Sequence, residues 1–206
     1  LNYLLRLISN FYSLEVENRK AFIDFDKKET EIQYVSEEEL KGYRFYHPYM
    51  FKRKLTEEII NKFDVGYDRQ TNCVTFPVWD AEGRCLFVAR RSIVGKFFNY
   101  PRTVDKPLYG LHLLPKDCKS VVICESIFNA LTSWIYGRPA IALLGTGSFT
   151  QIDMLAKLPY RHYVLALDPD EAGDKGCLRM KERLGNKSLS KLILPPGKDV
   201  NDLTYE

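Results

Sequence analysis

From Lys119 onward the chain alternates short apolar runs with helical patterns, and this alternation restricts its fold more than any other feature. Residues 120–124 read as a strand, 127–136 as a helix, 140–144 as a strand and 149–158 as a helix. Residues 162–167, 172–184 and 191–194 continue as strand, helix and strand. Strands separated by helices need crossover connections. An open, mostly parallel sheet with helices on both faces is therefore expected. In such a sheet the functional rim lies at the carboxyl ends of the strands.

Those ends are rich in carboxylates and glycines. Glu125 closes the first strand and Gly145-Thr146-Gly147 the second. Asp168 and Asp170 close the third, and Asp199 follows the fourth within Gly197-Lys198-Asp199-Val200-Asn201-Asp202. Pro169 stops the third strand between its two acids, and Gly173 lets the next helix start close by. Two carboxylates this close repel each other, and the usual remedies are a raised pKa or a divalent cation between them. Asp-Pro-Asp is also turn chemistry, and on this stretch alone a cap on the following helix explains it as well. Acids at successive strand ends favour a hard cation, Mg²⁺ or Mn²⁺, and metal-assisted phosphate chemistry. The glycine turn fits either an approach to phosphate or a tight bend.

Upstream the charge changes sign. Residues 1–40 hold 5 Lys/Arg against 9 Asp/Glu, whereas residues 41–106 hold 13 against 7. The middle block is the candidate polyanion-binding face. Seven of its bases fall between Arg69 and Lys106, interleaved with Phe76, Trp79, Phe87, Phe97, Phe98 and Tyr100. That mixture suits nucleic acid or nucleotides; a strand-rich core under a solvated basic surface accounts for it too. Leu1, Leu4, Leu5, Ile8, Phe11 and Tyr12 predict a helix over 1–14, with a linker or loose hairpin over 15–35. Ser36-Glu37-Glu38-Glu39 predicts a capping box opening a helix toward Tyr46, and Thr56 a second helix ending near Phe63. Residues 74–78 and 85–89 read as a hairpin around 79–83.

At 206 residues, 45% hydrophobic and 28% charged, the chain fits one large domain or two small ones. No apolar run approaches the roughly 20 residues of a membrane span and no signal peptide opens the chain, so a cytoplasmic setting without membrane contact is expected. Leu1 in place of Met suggests a piece of a longer polypeptide. The cysteines at 73, 85, 118, 124 and 177 form no Cys-x-x-Cys pair, which predicts no zinc in this segment and a reducing compartment. His47, His112 and His162 lack metal-ligand spacing and are expected to be structural, as are Cys124 and Cys177.

The series of motifs resembles the catalytic core of DnaG-type bacterial and phage primases, with its Toprim domain. Val121–Glu125, Leu144-Gly145-Thr146-Gly147 and Leu167–Gly173 stand in that family's order: a strand ending in Glu, a glycine turn, then Asp-x-Asp before a glycine-bearing helix. Lys54–Ile60, Phe63–Tyr67, Val74–Asp80, Gly83-Arg84, Ala89–Arg91, Lys96–Pro101 and Lys106–Leu111 are similar to the family's basic subdomain. The likeness covers roughly residues 40–203. It implies an α/β protein: an N-terminal helix and linker over 1–35, an α+β basic subdomain over 36–115, and a Toprim-like α/β domain with a mostly parallel sheet over 116–206.

The implied activity is nucleotidyl transfer: metal-dependent synthesis of short RNA primers from ribonucleoside triphosphates on single-stranded DNA. Glu125, Asp168 and Asp170 take the catalytic positions. The same three with Asp199 take the Mg²⁺ or Mn²⁺ positions. Arg91, Lys96, Asn99 and Lys106 fall where the family holds nucleotide or template phosphates. A replicative helicase, or a zinc-binding module elsewhere in the chain, is the implied partner. Three departures stand out: Ser126 replaces a usual Gly, Asn129 a usual Asp, and Asp199-Val200-Asn201 the usual Asp-Pro-Asp. The two asparagines remove two charges and predict weaker binding of a second metal, although the last variant is similar to phage- and plasmid-type primases. Competing readings are a catalytically impaired Toprim accessory that binds single-stranded DNA, and a Toprim nuclease. A haloacid-dehalogenase-type phosphatase is disfavoured by Glu171-Ala172-Gly173 after Asp170 and by the late position of the acid pair.

Overall fold

The computed structural model describes residues 33–95, 98–100, 106–195 and 197–203, with Phe98 and Asn99 described in backbone only. The helix expected over 1–14 and most of the linker over 15–35 lie outside the described residues.

The first described segment is built from short, capped helices. Ser36 Oγ accepts from the Glu39 N–H at 3.2 Å and opens α1 (Glu37–Lys41). Only half of the capping box forms, because the Glu39 carboxylate accepts from the Tyr43 hydroxyl at 3.1 Å instead. The expected run to Tyr46 is cut at Lys41. Pro48 forces His47 into an extended conformation and starts a separate helix, α2 (Pro48–Lys52), capped by His47 Nδ1. Thr56 caps α3 (Glu57–Lys62) through Ile59 N–H at 3.3 Å, as its sequence predicts.

An antiparallel sheet follows in the order β1 (Gly66–Asp68), β2 (Cys73–Trp79), β3 (Cys85–Ser92) and β4 (Phe98–Asn99). In the β2–β3 turn, Asp80 Oδ1 accepts from the N–H groups of Glu82 at 3.0 Å and Arg84 at 2.8 Å. Gly83, at φ +80, supplies the left-handed step. The basic half is thus α+β, as the resemblance implies.

The second sheet contains β5 (Val121–Cys124), β6 (Ala140–Ala142), β7 (His162–Ala166) and β8 (Ser188–Lys191), all parallel, in the order β6-β5-β7-β8. Its strands alternate strictly between two faces. Val121, Ile123, Ile141, Leu143, Tyr163 and Leu165 pack with Ile152 and Leu155 of α5 (Phe149–Lys157) and Met180 of α6 (Glu171–Arg183). Cys124, Ala140, Ala142 and Ala166 face α4 (Ile127–Ile135) and share a core with the antiparallel half. Phe76 of β2 meets Phe128 of α4 edge-on at 5.4 Å, and Phe63 meets Trp134 at 5.6 Å. These aromatics pack the antiparallel half against α4.

The last strand also departs from its expected position. The last strand was expected over 191–194, but β8 spans Ser188–Lys191. Leu192 N–H donates to Leu165 O at 2.8 Å and the ladder ends there. Beyond it Ile193 is 88% exposed, while Leu194 turns back into the core. β8 is a polar edge strand chosen by pairing with β7, and the apolar run next to it had suggested the wrong register.

Strand order places a crevice. From β5 the chain crosses to β6 on one side; from β7 it crosses to β8 on the other. Neighbouring exits that diverge in this way leave an opening between them, where ligands of open α/β sheets bind. The two residues at that opening are Glu125 and Asp168.

Candidate active site

Glu125 follows β5 directly, and its Oε1 accepts from the Asp168 N–H at 3.2 Å. The contact spans the switch point. It holds the Glu125 carboxylate against the end of β7. Burial first, and the Asp168 charge second, push the Glu125 carboxyl up to about 7. Asp168 is raised as well, by burial and by Asp199 and Asp170, while a hydrogen bond from Asn129 Nδ2 at 3.3 Å opposes the shift. The rim thus concentrates negative charge, and among the described residues no Lys or Arg forms an ion pair with Glu125 or Asp168.

The other two acids serve as caps. Asp170 Oδ1 accepts from Gly173 N–H at 2.8 Å and opens α6. Asp199 and Asp202 form a reciprocal capping box around the 3₁₀ turn Val200–Asp202, at 3.0 and 3.1 Å. Asp170 is therefore a helix cap and, at the same time, a charge that acts on Asp168. Among the described residues, no three His, Cys, Asp or Glu side chains are gathered closely enough to hold a metal ion as they stand. That arrangement still fits Mg²⁺, which keeps several waters and is commonly bound through one or two carboxylates plus substrate phosphates. The donors are all hard oxygens, and the raised pKa values of Glu125 and Asp168 mark the charge a cation would neutralise.

The β6 exit is a tight bend. Leu144 sits at φ +57, Gly145 at +134 and Gly147 at +87, and Gly145 N–H donates to Glu125 O at 3.1 Å. Two bases reach this bend. Lys106 Nζ donates to Leu144 O at 2.8 Å, and Arg179 Nη2 donates to Thr146 O at 3.2 Å and its Oγ1 at 3.0 Å.

Comparison with known proteins agrees with this architecture. Residues 122–204 match the family model described as Toprim-like. The DNA primase of Legionella pneumophila is 31% identical over 62% of this chain and 25% of its own length. That of Clostridium acetobutylicum is 30% identical over 70% of this chain and 26% of its own. The chain carries a Toprim-like domain and is related to the DnaG-type primases. It spans about a quarter of the length of these relatives. A DnaG primase catalytic domain solved bound to single-stranded DNA has the same fold, with a TM-score of 0.69 over 81% of this chain and 71% of that one, at 20% identity.

Within this Toprim frame the residues singled out in the sequence fall into three groups. Glu125 and Asp168 are in hydrogen-bond contact; Asp170 and Asp199 act on Asp168 through their charge. Lys106 reaches the rim through Leu144. Arg91 lies at the far end of β3, opposite Val74 and Phe98, while its neighbour Arg90 is tied to Asp68 at 3.1 Å and the Tyr43 hydroxyl at 2.8 Å. Lys96 lies outside the described residues, and Asn99 is placed only as a backbone partner of Arg90. Ser126, in place of the usual Gly, caps α4 by accepting from Asn129 N–H at 3.2 Å. His47 stacks on Tyr67 at 4.3 Å and His162 Nε2 contacts Ser190 Oγ at 2.9 Å, while His112 lies 5.6 Å from Trp79 with its buried Nδ1 making no hydrogen bond among the described residues. All five cysteines are free. No helix among the described residues is long and apolar enough to cross a membrane.

What the sequence did not reveal is the work of Asn129, Asn201 and Arg179. Asn129 touches Asp168 directly, and Arg179, together with the Asp168 N–H, draws the Glu125 pKa downward against burial and the neighbouring carboxylates. A positional signal existed for Asn129, one helical turn past Glu125; none existed for Arg179.

The Glu125 shift has a measurable consequence. Its folded-state pKa lies above the unfolded value, so its contribution to stability is present at acid pH and lost as pH rises through about 7. In metal-free protein the melting temperature of wild type, relative to Glu125→Gln, should fall as pH rises from about 4.5 to 7.5. A difference that stays constant with pH contradicts the burial of this carboxyl.

Proposed function

We propose that this chain is the catalytic part of a primase, joining ribonucleoside triphosphates on a single-stranded DNA template. The observation that carries the reading is the Glu125–Asp168 contact at the switch point between β5 and β7, with both carboxyls raised in pKa. Residues 36–115 act as the basic subdomain and 116–206 as the Toprim domain. Asp168, Asp170, Asp199 and Glu125 supply oxygen ligands for Mg²⁺ or Mn²⁺. When bound, the cation neutralises triphosphate charge and makes the attacking 3′ hydroxyl more acidic.

The protein's own groups do the rest. Without a cation, burial and the Asp168 charge hold the Glu125 carboxyl up to about 7, so at this rim it can serve either as a ligand or as a group that exchanges a proton. Lys106 and Arg179, placed at the glycine bend, lie on the rim where phosphates would approach. Arg91, Lys96 and Asn99 hold template or nucleotide phosphates along the antiparallel half. Arg91→Ala and Lys106→Ala should each weaken single-stranded DNA binding several-fold near 0.1 M salt and reduce the salt slope by about one. Unchanged affinity and slope would assign these bases to a solvated surface.

The relatives are about four times as long as the matched segment. On this proposal, priming by the chain engages a replicative helicase or a zinc-binding module, in the cytoplasm. The accessory reading rests on the two missing carboxylates, but both asparagines have hydrogen-bonding work of their own. The deciding experiment follows incorporation of a labelled ribonucleotide on a single-stranded DNA template, with EDTA as the control.

A further inference from the structure

Asn129 and Asn201 stand where the primase pattern has acids, and each makes contacts that an acid cannot. Asn129 is fully buried in α4. Its Nδ2 donates to Asp168 Oδ1 at 3.3 Å, and its Oδ1 accepts from Asn201 N–H at 3.1 Å. Asn201, 4% exposed, donates from Nδ2 to Thr132 Oγ1 at 2.8 Å and to Arg53 O at 3.0 Å. The Thr132 hydroxyl in turn donates to Phe128 O at 2.9 Å. Lys54 Nζ closes the chain of contacts by donating to Asn201 O at 2.8 Å and Leu203 O at 3.2 Å. A carboxylate has no N–H to donate. Asp at 129 would set an oxygen against Asp168, and Asp at 201 would set one against the Arg53 carbonyl.

We propose that Asn129 and Asn201 are a positioning pair, a neutral amide clasp that fixes the orientation of the Asp168 carboxylate. It anchors that carboxylate, through the 3₁₀ turn, to Arg53 and Lys54 in the antiparallel half. The inference rests on the reading of Asp168 as a metal-holding group. The clasp holds the Asp168 carboxylate through one of its oxygens, Oδ1. It also removes two carboxylates from the rim, so the remaining set is Glu125, Asp168, Asp170 and Asp199. Partners that orient a metal ligand typically change metal affinity by 10–100-fold when removed, because the ligand must then be ordered as the ion binds.

The test is calorimetric titration of Mn²⁺ into wild type, Asn129→Ala, Asn201→Ala and Asp168→Asn, with circular dichroism confirming that each remains folded at the titration temperature. Asn129→Ala should bind Mn²⁺ roughly 10–100-fold more weakly although position 129 is not itself a ligand, and Asn201→Ala should show a smaller loss. Asn129→Asp should melt about 5–10 °C lower without metal, and Mn²⁺ should restore more of that loss than it adds to wild type. Should Asn129→Asp fail to fold, the two alanine variants carry the test. Wild-type Mn²⁺ affinity in Asn129→Ala, alongside lost binding in Asp168→Asn, overturns the clasp and leaves the metal rim standing. Wild-type affinity in Asp168→Asn as well overturns the metal rim, and the clasp with it.

Discussion

Asp168→Asn is expected to lower Mg²⁺-dependent ribonucleotide incorporation by roughly 10²–10³-fold while leaving the melting temperature unchanged or raised. The opposite signs follow from one cause. Asp168 is half-buried, and burial together with Asp199 and Asp170 already disfavours its charged form. A neutral amide relieves that repulsion and can still accept the Asn129 Nδ2 hydrogen bond through its own oxygen. The same amide removes the charge that would meet a cation at the switch point. Parallel rate and melting measurements check both halves. A variant that loses activity only because it melts would show the rate and the melting temperature falling together.

Gly173→Ala should destabilise the fold by about 2–3 kcal/mol and lower the melting temperature by about 4–12 °C. A Cβ at position 173 would run into the Asp168 carbonyl and lie 3.0 Å from Glu125 Oε1. The carbonyl cannot move aside alone, because it accepts from Asp170 N–H at 2.9 Å, and Gly173 N–H is itself held by Asp170 Oδ1. The β7–α6 corner would have to open, carrying Asp168 and Asp170 with it, so incorporation should also fall. Gly83→Ala is the control. Gly83 sits at φ +80 with no neighbour within 4 Å of an added Cβ, so its substitution should cost only about 1 kcal/mol and leave the rim unchanged. Equal effects at the two positions would show that close packing under Gly173 is not what matters.

Much of this was legible in the chain because local rules and tertiary structure agreed there. Val121 and Ile123 face one side of β5 and Cys124 the other, and the caps at Thr56 and Asp170 fall where side-chain oxygens can reach the third N–H along. Where they disagreed, the reading slipped. Leu192-Ile193-Leu194 has the composition of a strand, but β7 offers its last bonding partner at Leu165, so the polar Ser188–Lys191 forms the edge. The helix expected toward Tyr46 ends at Lys41, and Pro48 opens a separate, unexpected one.

The acids were visible one by one, whereas their grouping was not. Periodicity marks where strands end, yet it does not say that β6 and β7 lie on opposite sides of β5. That order turns Glu125 and Asp168 into the lips of one crevice. Asn129 and Asn201 were countable only as lost charges, because the groups that give them work lie far along the chain: Arg53 is 148 positions from Asn201, and Asp168 is 39 from Asn129.

On the proposed reading, the carboxylates at the β5 and β7 exits hold a divalent cation for nucleotidyl transfer on single-stranded DNA. Incorporation of labelled ribonucleotides with and without template, by wild type and Glu125→Gln at pH 7 in Mg²⁺ and in EDTA, puts that reading at risk. Wild type should give template-dependent products in Mg²⁺ and none in EDTA, and Glu125→Gln should lose roughly 10²-fold or more. Incorporation in Glu125→Gln equal to wild type, or product formation by wild type in EDTA, would contradict that reading.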